Sequence, residues 1–210
     1  MKILLILNGI KETNYSKDFF KSYDKIICID GGYSNLKSLN LNIKPDFIIG
    51  DFDSITDIED LNSFSKESKI YKDNQDETDI EYAIKILLSK YNNINEIDMI
   101  YCISNERIDH LLGNILILKR IPNSIQSKII TKNQTIYYLK NNIEINNKKG
   151  KTLSIIPMTD VEKIKSEGLK WKLDSKNLNF GFVGGISNII EENNAKISLK
   201  KGECAIIVEN

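Results

Sequence analysis

An excess of charge of either sign is missing from this 210-residue sequence: Lys plus Arg number 29, Asp plus Glu 29, and the formal net charge is zero. That removes the basic surplus on which non-specific binding to nucleic acid or anionic membrane depends, so neither is expected as a partner. Cysteine is scarce. Cys28, Cys102 and Cys204 each sit in an apolar, strand-like run, and no two have a metal-site spacing. They read as small buried hydrophobes of a reducing compartment, here the cytoplasm, and not as a disulfide framework or a zinc site. There is one histidine, His110, with no visible partner, and it is given no catalytic role. Long hydrophobic runs are absent: none approaches the roughly 20 residues that span a bilayer. Met1 to Gly9 is too short and too soon interrupted for a signal peptide and reads as a buried strand ending in a turn. Internal repeats and low-complexity linkers are missing. So are the Gly-x-Gly-x-x-Gly fingerprint, the Walker A motif and the kinase lysine-bearing strand, which excludes the common nucleotide-binding classes.

What is present is 41% hydrophobic and 28% charged, ordinary for a globular chain long enough to bury a core. In the first part, residues 2–7, 25–30, 46–50, 69–72 and 96–103 are short apolar runs. Unbroken runs such as Ile26-Ile27-Cys28-Ile29 suit parallel strands covered on both faces. Helical patterns lie between them. Ile80, Ala83, Ile84, Leu87, Leu88 and Tyr91 follow one helix face, and Thr78 with Glu81 fits a capping box at its start. A second helix is expected over 109–120, stopping before Pro122, with Leu111, Leu112, Ile115 and Leu116 inward. After about Thr131 no helix is convincing. Strands are expected at 135–140, 143–145, 151–157, 168–173, 195–199 and 204–208, separated by Asn- and Gly-rich turns. The expected fold is α/β: a doubly wound, mostly parallel sheet domain over 1–131, then a small all-β sandwich or barrel over 132–210.

Four segments carry candidate chemistry, each at a strand-to-helix junction. In Gly50-Asp51-Phe52-Asp53-Ser54 two carboxylates stand at i and i+2, pointing the same way if the chain is extended. Together they suit Mg²⁺; a solvated turn in which one of them caps a helix is equally open. Gln75-Asp76-Glu77-Thr78-Asp79 opens the long helix, where Asp79 also satisfies the helix dipole. Asp30-Gly31-Gly32 lets backbone approach a phosphate, or is simply a tight turn. Arg107-Ile108-Asp109-His110 offers a forked phosphate donor; taken alone it reads as a surface Arg107–Asp109 pair with Asp109 as N-cap. In a parallel sheet these junctions share the carboxyl edge, where such sheets bind ligands. Carboxylates, an arginine and glycine turns on one edge suit metal-assisted phosphoryl transfer.

In order and spacing these four motifs resemble the thiamine pyrophosphokinase family. The likeness extends through Ser154-Ile155-Ile156-Pro157, Gly168-Leu169-Lys170-Trp171-Lys172-Leu173 and Gly185-Ile186-Ser187-Asn188. The resemblance implies transfer of a pyrophosphoryl group from ATP to thiamine, with Mg²⁺, in a homodimer with shared active sites. It implies that Asp51, Asp53 and Asp79 gather Mg²⁺, and that Asp79 orients or deprotonates the thiamine hydroxyl. Gln75, Thr78 and Arg107 would contact the ATP phosphates, with Asp30, Gly31 and Asp109 in or just behind that shell. Trp171, Ser187 and Asn188 would bind thiamine from the partner subunit. One departure stands out: Asn105-Glu106 precede Arg107 where the family usually has glycine. By its residues alone Trp171 also fits core packing on one strand face with Leu169 and Leu173, and Ser187 and Asn188 fit a turn. Two other functions share the motifs: a metal-dependent phosphohydrolase using the same Asp cluster, and a non-catalytic nucleotide-binding module.

Overall fold

The computed structural model describes residues 1–53, 61, 63, 69–72, 76–104 and 107–210. The chain divides into two units, Met1–Thr131 and Lys132–Asn210.

In the first unit the apolar runs become parallel strands. The elements are β1 (Lys2–Ile6), α1 (Lys17–Lys21), β2 (Lys25–Ile29), α2 (Gly32–Lys37), β3 (Phe47–Gly50), β4 (Lys69–Tyr71), α3 (Asp79–Lys90), β5 (Glu96–Ile100), α4 (Ile108–Ile117) and β6 (Gln126–Ile130). The strand order is β6-β5-β1-β2-β3-β4, and each of the five pairings is parallel. Leu4, Ile6, Cys28, Ile48 and Ile100 face one side, with Phe20 of α1 and Tyr33 and Leu36 of α2 packed on them. The alternating residues Leu5, Ile27, Ile49, Ile97 and Met99 are equally buried. Both faces are therefore covered, as a doubly wound sheet requires.

The order reverses between β1 and β5, the position at which such sheets usually open a crevice. Here that position is closed by backbone. Gly9 N donates to Tyr101 O at 2.8 Å and Ile10 N to Ile103 O at 2.7 Å, zipping the two following loops together. A Cβ on Gly9 would run into the Tyr101 and Ile103 carbonyls, so glycine is required there. Among the described residues, the carboxyl edge that carries the acidic motifs is that of β2, β3 and β4.

Helix α3 forms as its periodicity indicates, burying Ile80, Ala83, Ile84 and Leu87. Its capping box is complete: Thr78 Oγ1 accepts from Glu81 N, and Glu81 Oε2 accepts from Thr78 N at 2.9 Å. Helix α4 differs from expectation. It runs Ile108–Ile117 and buries Ile117, while Leu112 and Leu116 are 56% and 50% exposed and Leu111 and Ile115 are only partly covered. The inward face is turned away from the one assigned by apolar content, because six of the ten residues of this helix are apolar and several stripes compete. Its N-cap is Arg107, not Asp109.

The second unit contains no helix and eight strands: β7 (Gln134–Leu139), β8 (Asn142–Asn146), β9 (Thr152–Pro157), β10 (Val161–Glu167), β11 (Lys176–Leu178), β12 (Asn188–Ile189), β13 (Asn194–Ser198) and β14 (Cys204–Glu209). They form antiparallel rows β12-β9-β14-β7 and β11-β10-β13-β8. Their inner faces share one core that includes Leu153, Ile155, Ile164, Ile197 and Ile206. This is the sandwich arrangement. Residues 168–173 are not a strand. Gly168 has φ +73°, and the chain folds back so that Leu173 N donates to Ser166 Oγ at 2.8 Å. The strand lies just before that segment: it is β10, whose alternation is broken by a bulge with Lys163 at φ +52°.

Replacing Thr78 with alanine should lower the unfolding free energy by about 1 kcal/mol, the usual value of an N-cap. The Glu81 carboxyl is held below its ordinary value, first by the hydrogen bond from the Thr78 backbone. A depressed folded-state pKa stabilises above the unfolded Glu value of about 4.3 and is lost as pH falls through the folded value. Urea titrations should therefore show the Thr78→Ala deficit shrinking towards acid pH. An unchanged midpoint at neutral pH would show that the box contributes nothing.

Candidate active site

Asp30 follows β2 with φ +44°, and its backbone N donates to Ile49 O at 2.8 Å. Its side chain is buried, and Oδ1 has no hydrogen-bond partner. Gly50, at the end of β3, allows this: a Cβ there would stand 2.9 Å from the Cβ of Asp30. Asp51 and Asp53 follow. The chain between them is not extended, because Phe52 has φ +65° and Asp53 N donates to Asp51 Oδ1 at 3.3 Å. The turn nevertheless converges the carboxylates: one oxygen each from Asp30, Asp51 and Asp53 lie within 4.8 Å of one another. Three acidic side chains held this close repel unless a cation joins them, and all three offer hard oxygen donors. The orphaned Oδ1 of Asp30 is an acceptor lacking its partner. The residues therefore fit a Mg²⁺ ion.

Asp79, the first residue of α3, stands apart from that group. Its Oδ1 forms an ion pair with Lys72 Nζ at 2.9 Å. Lys72 is 3% exposed; its ammonium also donates to Glu77 O at 2.7 Å, and its backbone N donates to Gly50 O at 2.9 Å. The Asp79 carboxyl is raised, foremost by burial and also by the charges of Asp51 and Asp30, with Lys72 opposing. Sequence reasoning missed Lys72. The available signal was a lysine closing the apolar run of β4, between the two acidic motifs. It also assigned Asp30 to phosphate and not to the carboxylate group. Thr78 spends its hydroxyl in the capping box, where it also donates to Glu81 Oε2 at 3.0 Å. Gly31 caps α2 in ordinary helical conformation. Gln75, Asn105 and Glu106 lie outside the described residues.

Arg107 and Asp109 grip each other. Arg107 Nε and Nη2 reach the Asp109 carboxylate at 3.0 and 2.8 Å, with both side chains exposed. The hydrogen bonds from Arg107 pull the Asp109 carboxyl down to about 2.

In the second unit a cavity of about 620 Å³ is lined by Ile155, Trp171, Leu173, Phe180, Phe182 and Asn188, among others. Trp171 is 55% exposed, not packed in the core with Leu169. Asn188 is buried and holds the Trp171 backbone at both ends: Oδ1 accepts from Trp171 N at 3.1 Å and Nδ2 donates to Trp171 O at 2.8 Å. Lys170 Nζ lies 5.0 Å from the centroid of the indole. Ser187 is exposed, with φ +61°, and its N donates to Ser154 Oγ at 3.0 Å; it is not among the lining residues.

Acidic side chains gathered on the carboxyl edge of a doubly wound sheet, followed in the same chain by a β-sandwich with an aromatic-lined cavity, define a two-domain phosphoryl-transfer class. Comparison with known proteins narrows the class. Residues 16–131 match the family model of the thiamin pyrophosphokinase catalytic domain, and residues 140–204 that of the thiamin pyrophosphokinase vitamin B1 binding domain. The chain is 30% identical over 183 residues to thiamine pyrophosphokinase of Bacillus subtilis (strain 168), covering 84% of this chain and 83% of that one. It is 26% identical over 196 residues to thiamine pyrophosphokinase 1 of Oryza sativa subsp. japonica, covering 82% and 74%. The crystal structure of thiamine pyrophosphokinase from Bacillus subtilis superposes with a TM-score of 0.84 at 26% identity, covering 100% of this chain and 99% of that one. The chain belongs to the thiamin pyrophosphokinase family.

Like-charge repulsion within the cluster predicts an opposite pair of effects for Asp51→Asn and Asp53→Asn. In chelator, the melting temperature of either variant should equal or exceed that of the parent, while Mg²⁺ should stabilise it less. A lower melting temperature in chelator, with Mg²⁺ stabilisation intact, would make these carboxylates structural.

Proposed function

We propose that this chain transfers the pyrophosphoryl group of ATP to the hydroxyl of thiamine, giving thiamine diphosphate and AMP. The observation that carries the reading is the convergence of Asp30, Asp51 and Asp53 at one sheet edge in a chain that matches both domains of the family. Mg²⁺ would be held by Asp51 and Asp53, with Asp30 completing the group and Asp79 beside it. When bound, it would neutralise phosphate charge and so lower the barrier to displacement.

The chain's own residues take the remaining roles. The raised carboxyl of Asp79 is suited to orient the thiamine hydroxyl and accept its proton. The hydroxyl oxygen then forms a bond to the β-phosphorus as the bond to the α-phosphate oxygen breaks, releasing AMP. Gln75, Thr78 and Arg107 are assigned to contact the ATP phosphates, with Gly31, Asp30 and Asp109 in or just behind that shell. Arg107 must share or exchange Asp109 to do so, since its fork is already occupied.

Trp171 supplies a flat face for the cationic thiamine ring, worth roughly 0.5–2 kcal/mol. Ser187 is assigned to thiamine as the chain neighbour of Asn188, which serves thiamine chiefly by holding Trp171 in place. The assembly is a homodimer in which each site takes its carboxylates from one chain and Trp171 from the other. Exposed Phe180 and Phe182, which line the cavity with Trp171, and exposed Val183 and Ile186 on the same loop support a covered surface there. The setting is the cytoplasm, supported by three unpaired, buried cysteines. No described helix is long and apolar enough to cross a membrane.

Incubation with ATP, Mg²⁺ and thiamine should yield AMP and thiamine diphosphate. ADP with thiamine monophosphate, or phosphate release without an organic acceptor, would overturn the assignment. The dimer has its own test. Asp51→Asn and Trp171→Ala chains, each nearly inactive, are unfolded, mixed equally and refolded, so that about half of the dimers are mixed. Each mixed dimer carries one intact site, and activity should return to about a quarter of the parent value. No recovery in a mixture shown to exchange subunits would place Trp171 with its own chain's carboxylates, or in no site.

A further inference from the structure

Lysines usually bury their alkyl stems and keep the ammonium in water. Lys72 does not: among the described residues it is the only buried lysine, and its charged head stays inside with its stem. Burying an ammonium costs desolvation that a strand end has no need to incur, unless the charge is used. The head is bonded to Asp79 Oδ1 at 2.9 Å and to the Glu77 carbonyl at 2.7 Å, and the backbone N to the Gly50 carbonyl at 2.9 Å. One residue thus ties together the end of β3, where the chain turns into Asp51, the end of β4, and the residues that open α3.

We propose that Lys72 is a positioning residue for the transfer, the built-in counter-ion that holds the Asp79 carboxylate beside the Asp30–Asp51–Asp53 cluster against their mutual repulsion. The proposal rests on the reading of this cluster as the transferase site. It differs from a purely architectural role in one respect. A counter-ion competes with an incoming cation for the field of the carboxylates; a structural prop does not.

Lys72→Met keeps the backbone N–H and an aliphatic stem while removing the charge. Turnover should fall about 10- to 100-fold, the usual range for groups that orient metal-site ligands. Binding of Mn²⁺ to the chain alone, followed by the loss of the free-ion electron paramagnetic resonance signal, should tighten severalfold because a positive charge has left the site. Lys72→Arg should return Mn²⁺ affinity towards the parent value and restore part of the turnover. If Lys72→Met does not fold, Lys72→Met/Asp79→Asn is compared with Asp79→Asn alone, and the double variant should bind Mn²⁺ more tightly. Weaker or unchanged Mn²⁺ binding in the folded variant would overturn the proposal. Should the parent chain itself make no thiamine diphosphate, the reaction assignment falls, and the Mn²⁺ titration still decides whether Lys72 is a counter-ion.

Discussion

Two hydrogen bonds at the end of a parallel ladder set the geometry on which the site depends. Asp30 N donates to Ile49 O, and Lys72 N donates to Gly50 O. They are the last rungs that join β2 to β3 and β3 to β4, and they place three consecutive crossings of the sheet edge at one level. Everything polar at that edge follows from the alignment: the left-handed turn at Asp30, the missing Cβ of Gly50, the tight turn at Phe52 and the buried ammonium. Shift β3 by one residue and its side chains exchange faces, which would bring a branched side chain where only glycine fits.

Such an edge gathers more negative charge than a neutral chain would suggest. The formal balance of zero describes the whole molecule, whereas electrostatic energy depends on local spacing. Where Lys25 meets Asp46 beside β2 and β3, the carboxylate is satisfied within the fold: one oxygen accepts from the Lys25 ammonium and the other from Ile26 N. At the carboxyl edge the balance is deliberately incomplete. Three carboxylates converge and one oxygen has no donor, so the unmet interaction is available to a ligand.

Much of this could be read from the chain alone, for identifiable reasons. The parallel strands were legible because burial on both faces writes an unbroken apolar run. Helix α3 was legible because its apolar spacing and its Thr78–Glu81 box agree. The Asp51–Asp53 motif was visible, although its carboxylates converge through the turn at Phe52 and not along an extended chain. Strand β10 was hidden because the bulge at Lys163 moves Ile164 and Ser166 onto the face that strict alternation denies them. The inward face of α4 was misassigned because Leu112 and Leu116 are apolar yet exposed. Lys72 was invisible as a site residue because nothing local distinguishes a lysine that turns inward. Only the pairing of β4 with β3 and the entry of α3 put its head beside Asp79.

Strand β4 has one further consequence. Among the described residues it forms the outer margin of the sheet, pairing with β3 on one side only. A bare margin invites another chain to add a strand and start an aggregate. This one spans three residues, Lys69–Tyr71, and is bounded at its start by the charge of Lys69. Among the described residues so short a margin offers few free backbone groups to a second molecule, at the same strand that delivers Lys72 to the acidic edge.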